Sequence, residues 1–145
     1  MSDGNYTKTI KANIVPGEVI DKIGQVSEWW SKNFEGKSTA LNDVFTVRFM
    51  NGDMYKIKIG ELIADKKIVW DVIDAYQSWV KEPTEWVGTK IVWEVSETKD
   101  GSEVHFTHIG LVPELECFDT CTGGWNYLMT ESLSELLNKG VGVPV

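Results

Sequence analysis

Residues 118–140 read FDTCTGGWNYLMTESLSELLNKG. Apolar side chains fall at Phe118, Cys121, Trp125, Leu128, Met129, Leu133, Leu136 and Leu137. Gaps of three and four put them on one face of a helix. Asp119, Thr130, Glu131, Ser134, Glu135 and Lys139 fall mostly on the other face. Lys139 followed by Gly140 is a stop signal, a cation near the carbonyl end and then a residue that tolerates a left-handed cap. Two glycines, Gly123 and Gly124, interrupt the pattern. Each costs about 1 kcal/mol relative to alanine in a helix interior. They mark a kink, a late helix start, or a close approach of backbone to sheet or ligand. An apolar stripe this broad needs a cover, and most of the chain before it is strand-like.

Outward from that helix, Tyr6 to Val15 alternates apolar and polar, a strand pattern. Pro16-Gly17 breaks it, and Pro16 with Glu18 suits a first helical turn. Val19, Ile20, Ile23, Val26 and Trp30 keep helical spacing across Gly24, which predicts two short helices ending near Trp29-Trp30. Ser31 to Asn42 reads as a loop. Phe45, Val47 and Phe49 alternate with Thr46 and Arg48, and Asn51-Gly52 is a hairpin signal. Tyr55, Ile57 and Ile59 continue inward on the return strand. Ile68 to Ile73 is apolar on both faces except Asp71, so Trp70 has no clear direction. Asp74 to Gly88 holds Tyr76, Trp79, Pro83 and Trp86 and reads as an irregular strand or loop. Ile91, Trp93 and Val95 alternate cleanly, Asp100-Gly101 turns the chain, and Val104, Phe106 and His108 alternate again. Hairpin connections imply antiparallel pairing. A sheet with one apolar face needs one covering layer, and the last helix is the only candidate large enough.

The 145 residues suit one domain, 1–145, with residues 1–4 a loose leader. A net charge of −8 opposes binding to a phosphate backbone or an anionic bilayer. No run is long and apolar enough to span a membrane, and no secretory signal is visible. Two cysteines, Cys117 and Cys121, are too few for a disulfide scaffold, so a cytoplasmic location with reduced thiols is expected.

Three pieces of sequence resemble the START-like, or SRPBCC, superfamily, and within it the family of the activator of the heat-shock-protein-90 ATPase. They are Trp29-Trp30, His108-x-Gly110, and the ending from Cys121 through Gly124-Trp125, Leu128, Ser132-Leu133 and Leu136-Leu137 to Gly140-x-Gly142-x-Pro144. The resemblance implies an α+β helix-grip fold, a curved antiparallel sheet of six to seven strands around a long C-terminal helix. It also implies a cavity for apolar or amphipathic ligands between sheet and helix. The superfamily shares no catalytic set, so no catalytic residue is carried over.

Inward positions and the helix stripe give the candidate cavity-lining residues Trp30, Phe45, Tyr55, Trp70, Trp93, Phe106, His108, Trp125 and Met129. For each one, plain core packing is the competing explanation. His108 is either a polar anchor or general base, or a core histidine satisfied by a local hydrogen bond. His105 lies three residues away, hence on the opposite strand face, so the two cannot easily share a metal. Cys117 and Cys121 lack a second pair, and no metal or cofactor is expected. Asp71 and Glu61 are acids whose burial would signal chemistry. Trp79 and Trp86 suit a cavity rim, a dimer patch or a cover for a sheet edge. The leading expectation is a binding protein for a small hydrophobic or aromatic ligand, lipid-like or polyketide-like, as monomer or homodimer. A co-chaperone-like interaction module with a chaperone partner is the alternative, and a cyclase- or hydrolase-type enzyme the third.

Overall fold

A computed structural model describes residues 4–145; the leader expected at 1–4 lies outside the described residues except for Gly4. Strand alternation becomes seven strands: β1 (Tyr6–Ala12), β2 (Phe34–Gly36), β3 (Val44–Arg48), β4 (Met54–Ile63), β5 (Lys67–Tyr76), β6 (Lys90–Thr98) and β7 (Gly101–Ile109). They form one antiparallel sheet in the order β1-β7-β6-β5-β4-β3-β2. Two short helices, α1 (Pro16–Ile23) and α2 (Val26–Trp29), follow β1, with Pro16 in the first turn of α1.

The C-terminal helix is continuous but not uniform. It runs as α3 (Phe118–Tyr127), a π-helical stretch (Leu128–Leu133) and α4 (Ser134–Lys139). It ends as its sequence predicts, at Gly140 with a left-handed φ of +84°. Its buried face is the predicted stripe from Cys121 on, with Trp125, Leu128, Met129, Leu133, Leu136 and Leu137; Phe118, the stripe's first residue, is partly buried against the core.

Two segments depart from their sequence reading. The loop expected over 31–42 contains β2, three residues that pair with Val47, Thr46 and Phe45. The irregular segment expected over 74–88 begins as regular strand, because β5 continues to Tyr76 opposite Met54. The rest of it, residues 77–88, is a chain of turns, closed by Gln77 N–H to Pro83 C=O at 2.8 Å and Gly88 N–H to Val72 C=O at 2.9 Å.

The core sits between the inner sheet face and the helices. Trp70 points inward and is fully buried. Its ring stacks on Trp30 at 6.0 Å and 4°, and meets Phe45 and Trp93 edge-on, each at 5.2 Å. Apolar contact on this scale outweighs a polar defect: the indole N–H groups of Trp70 and Trp93 are buried without a partner.

The ending Gly140-x-Gly142-x-Pro144 has a packing reason. A Cβ on Gly142 would lie 2.3 Å from the Glu28 carbonyl oxygen. Only a bare backbone passes α2 so closely. The tail then bonds α2's end, Val145 N–H to Trp30 C=O at 2.9 Å and Lys32 N–H to Val145 C=O at 3.2 Å. Ser132 locks the same junction, donating to Trp29 C=O at 2.6 Å and accepting from Val143 N–H at 2.9 Å.

Asp71 and Glu61 are not buried acids. Both lie on the outer face beside lysines, Asp71 at 2.6 Å from Lys90 and Glu61 at 3.7 Å from Lys67. Alternation explains Asp71, because Trp70 and Val72 turn inward and Asp71 between them turns out. Glu61, two residues after inward Ile59, is turned out by the register shift between them.

Candidate functional site

One end of the space between sheet and helix is open. A cleft of about 430 Å³ lies there. The β3–β4 hairpin supplies Phe49, Met50, Asn51, Asp53 and Tyr55. The turns after β5 supply Trp79 and Trp86, and α3 supplies Thr120, Cys121, Gly124, Trp125 and Tyr127. Trp30, Leu128 and Val145 complete the lining.

The sequence candidates divide. Trp30, Tyr55 and Trp125 face the cleft. Phe45, Trp70, Trp93, Phe106 and Met129 are buried away from it, packed deeper between sheet and helix. His108 is buried too, immediately behind the cleft wall: its ring lies 4.5 Å from Trp86 and 6.1 Å from Trp125.

Both ring nitrogens of His108 are committed. Trp125 Nε1–H donates to Nδ1 at 3.1 Å. Nδ1 therefore accepts, and Nε2 carries the proton toward Thr89 Oγ1 at 2.9 Å. Thr89 in turn donates to Trp86 C=O at 2.7 Å. Burial disfavours the imidazolium and lowers the pKa from 6.5 to about 3. The histidine is neutral and structural, and holds Trp125 and Trp86 in place. His105 points outward, with Thr9 at 3.0 Å and Glu103 at 2.9 Å.

Aromatic rings make the wall rigid. Trp86 stacks on Tyr55 at 4.2 Å, and Trp125 lies against Trp30 at 5.2 Å. Phe49 meets Tyr55 edge-on at 5.9 Å. The polar groups are few. Tyr55 Oη accepts from Gln77 Nε2 at 2.8 Å, and burial raises the phenol's pKa. Gln77 Nε2 also reaches Cys121 Sγ at 3.3 Å. Cys117, one helical turn earlier, hydrogen-bonds Cys121; that bond lowers the Cys121 pKa and raises that of Cys117. Trp86 Nε1 has no partner at hydrogen-bonding distance but lies close enough to favour both thiolates.

Asp53 is 6 % exposed. Asn51 Oδ1 accepts its backbone N–H at 3.0 Å and sets its position at the hairpin's end. Its carboxylate accepts from Ser78 N–H at 3.2 Å and from Trp79 Nε1–H at 2.7 Å. It thus ties the hairpin to the turns after β5.

Of the glycine pair, Gly124 lines the cleft. The helix starts well before it, at Phe118, and a Cβ on Gly123 or Gly124 would meet nothing within 4 Å. Close approach to the sheet is not the reason. At Gly124 the missing side chain leaves cleft space.

Several lining residues escaped the sequence reading: Asp53, Met50, Asn51, Tyr127 and Val145. They sit in turns, on the helix's polar flank or in the tail, where alternation carries no signal. The Asn51-Gly52 turn was the available pointer to this end.

The architecture places the chain among known folds. No family model matches the chain, and no curated protein matches its sequence. Solved structures do. The Aha1 dimer of Colwellia psychrerythraea is similar over 95% of this chain and 98% of its own, with TM-score 0.76 and 20% identity. The chain has the helix-grip fold. Protein MLL2253 of Mesorhizobium loti matches over 92% of this chain and 96% of its own, with TM-score 0.73 and 12% identity. DynU16, from the dynemicin biosynthetic locus, matches 97% of this chain with 49% of its own, at TM-score 0.69 and 12% identity. In helix-grip terms, the open cleft lies at the end of the grip beside the start of the long helix. No helix among the described residues is long and apolar enough to cross a membrane.

Proposed function

We propose that this chain, acting as a single domain, binds a small hydrophobic or aromatic ligand in the cleft between sheet and C-terminal helix. The observation that carries the reading is the lining: a rigid wall of Trp30, Tyr55, Trp86 and Trp125, with Asp53 among its few polar groups. A volume of about 430 Å³ falls in the range of small-molecule sites, which pair an apolar wall with few oriented polar groups. Affinity comes from burying apolar surface, at roughly 25 cal/mol per Å² before binding costs. No cofactor is required, and a cytoplasmic setting suits the free thiols.

Titration with a fatty-acid and aromatic panel, followed by tryptophan fluorescence, tests the proposal. Saturable change in the wild type, lost in Gly124→Leu, is expected because leucine at 124 projects into the cleft. No saturable change for any member of the panel counts against it.

A second reading has its own observation. The cleft's mouth carries apolar side chains in the open: Met50 fully exposed, with Trp79, Tyr127 and Val145 each at least two-fifths exposed. The similar Colwellia structure is of an Aha1 dimer. A chaperone partner or a second copy docking at this rim is the alternative. Small ligands would then leave Trp79→Ala-sensitive association unchanged. An enzyme acting through His108 draws no support from a histidine whose two nitrogens are both engaged.

A further inference from the structure

The cleft's charge is one-sided. Among the described residues lining the cleft, Asp53 alone carries a side-chain carboxyl group, and none is a lysine, arginine or histidine. Its carboxylate is buried, and no cation pairs with it among the described residues. A buried carboxylate normally has a positive partner, because desolvation is costly. Here two N–H donors, Ser78 and Trp79, occupy part of it. Two oxygens offer about four acceptor positions, so capacity remains.

The surrounding walls have the matching chemistry. Trp30, Phe49, Tyr55, Trp79, Trp86 and Trp125 all line the cleft. Aromatic faces carry negative quadrupole potential and attract a cation, more strongly once water is removed. Trp79 donates its N–H to Asp53, which fixes that ring at the cage's rim. A neutral hydrophobic ligand would gain from the rings but bring the carboxylate no charge partner beyond its two N–H donors. An anionic ligand such as a fatty acid would face Asp53 directly.

We propose that the preferred ligand is an aromatic or apolar molecule carrying one cationic nitrogen, caged by the aromatic rings with the charge toward Asp53. This rests on the cleft being a ligand site and specifies what that site selects. A quaternary or tertiary ammonium satisfies both features, since it is weakly hydrated and needs charge and π-faces more than hydrogen bonds.

An isosteric pair tests it: 4-hydroxyphenyltrimethylammonium against 4-tert-butylphenol, which differ by nitrogen for carbon. 4-Hydroxybenzenesulfonate is the anionic control. Calorimetric titration of the wild-type chain is expected to give about tenfold tighter binding for the cation than for the neutral probe, and weakest binding for the anion. In Asp53→Asn the preference should fall to about threefold or less, leaving the aromatic part. Equal or tighter binding of 4-tert-butylphenol overturns the cation proposal while leaving the cleft a ligand site. Binding of none of the three overturns both. If Asp53→Asn does not fold, the wild-type ranking alone decides.

Discussion

Trp125 Nε1 donates to His108 Nδ1 at 3.1 Å, joining the helix wall of the cleft to strand β7. The bond fixes the histidine tautomer, and the far nitrogen continues through Thr89 to the Trp86 carbonyl. Two cleft-lining tryptophans are therefore tied to one buried imidazole, Trp125 through its indole N–H and Trp86 through its main-chain carbonyl. That arrangement makes His108 important to the site without making it part of the lining.

The same bond predicts a pH dependence. The pKa of His108 falls from 6.5 to about 3 on folding, because burial penalises its charge. The unfolded chain therefore binds more protons between these values. His108's contribution is complete above about pH 6.5 and is lost as pH falls toward 3, by at most about 1.4 kcal/mol per pH unit. Urea midpoints from pH 7.5 to 3.5 should show this slope. His108→Leu should be less stable by about 1–3 kcal/mol at pH 7, since Trp125 loses its acceptor, and should show a shallower slope. An unchanged slope would assign the acid sensitivity elsewhere.

Gly124 separates stability from binding. Alanine there should stabilise the helix by about 1 kcal/mol, because its Cβ meets open space. Leucine should also fold but occupy the cleft. Thermal melts and ligand titrations of both variants check this. Loss of stability in Gly124→Ala would mean that the backbone at 124 needs its freedom.

Gly142 behaves oppositely. Gly142→Ala brings a methyl within 2.3 Å of the Glu28 carbonyl oxygen, so the tail must lift from α2. A loss of about 1–3 kcal/mol is expected, with faster hydrogen exchange at Val145 and Lys32. Wild-type stability in this variant would show that the tail is not anchored there.

The thiols should react unequally. Cys121 lines the cleft and has its pKa lowered by the hydrogen bond from Cys117, whereas Cys117 is fully buried with its pKa raised. A maleimide should modify Cys121 first, as peptide mapping would show, and an occupied cleft should slow it. Equal labelling of both would indicate local opening of α3.

Much of the fold is legible in residue order. Alternation at Phe45-Val47, Ile91-Trp93-Val95 and Val104-Phe106-His108 places these side chains inward, and they are buried. Three features are not legible. β2 is too short for a periodic signal. The π-helical stretch keeps the apolar spacing of an ordinary helix, so its wider turn leaves no mark in Leu128–Leu133. The cleft depends on which inward residues sit at the sheet's open end. Alternation separates inside from outside but not packed centre from mouth, so Phe45 and Tyr55 read alike although only Tyr55 faces the cleft. Asp53 is found only when the turns after β5 fold over the hairpin.

The seven tryptophans give the most direct test of a ligand site in the cleft. Trp30, Trp79, Trp86 and Trp125 line it, whereas Trp29, Trp70 and Trp93 are core. Indole N–H resonances of ¹⁵N-labelled protein should be followed during titration with the cationic probe. The prediction is saturable shifts, sharing one dissociation constant, for the four cleft indoles and little change in the other three. No shift at any of the four, or equal shifts at all seven, would contradict the cleft as the binding site.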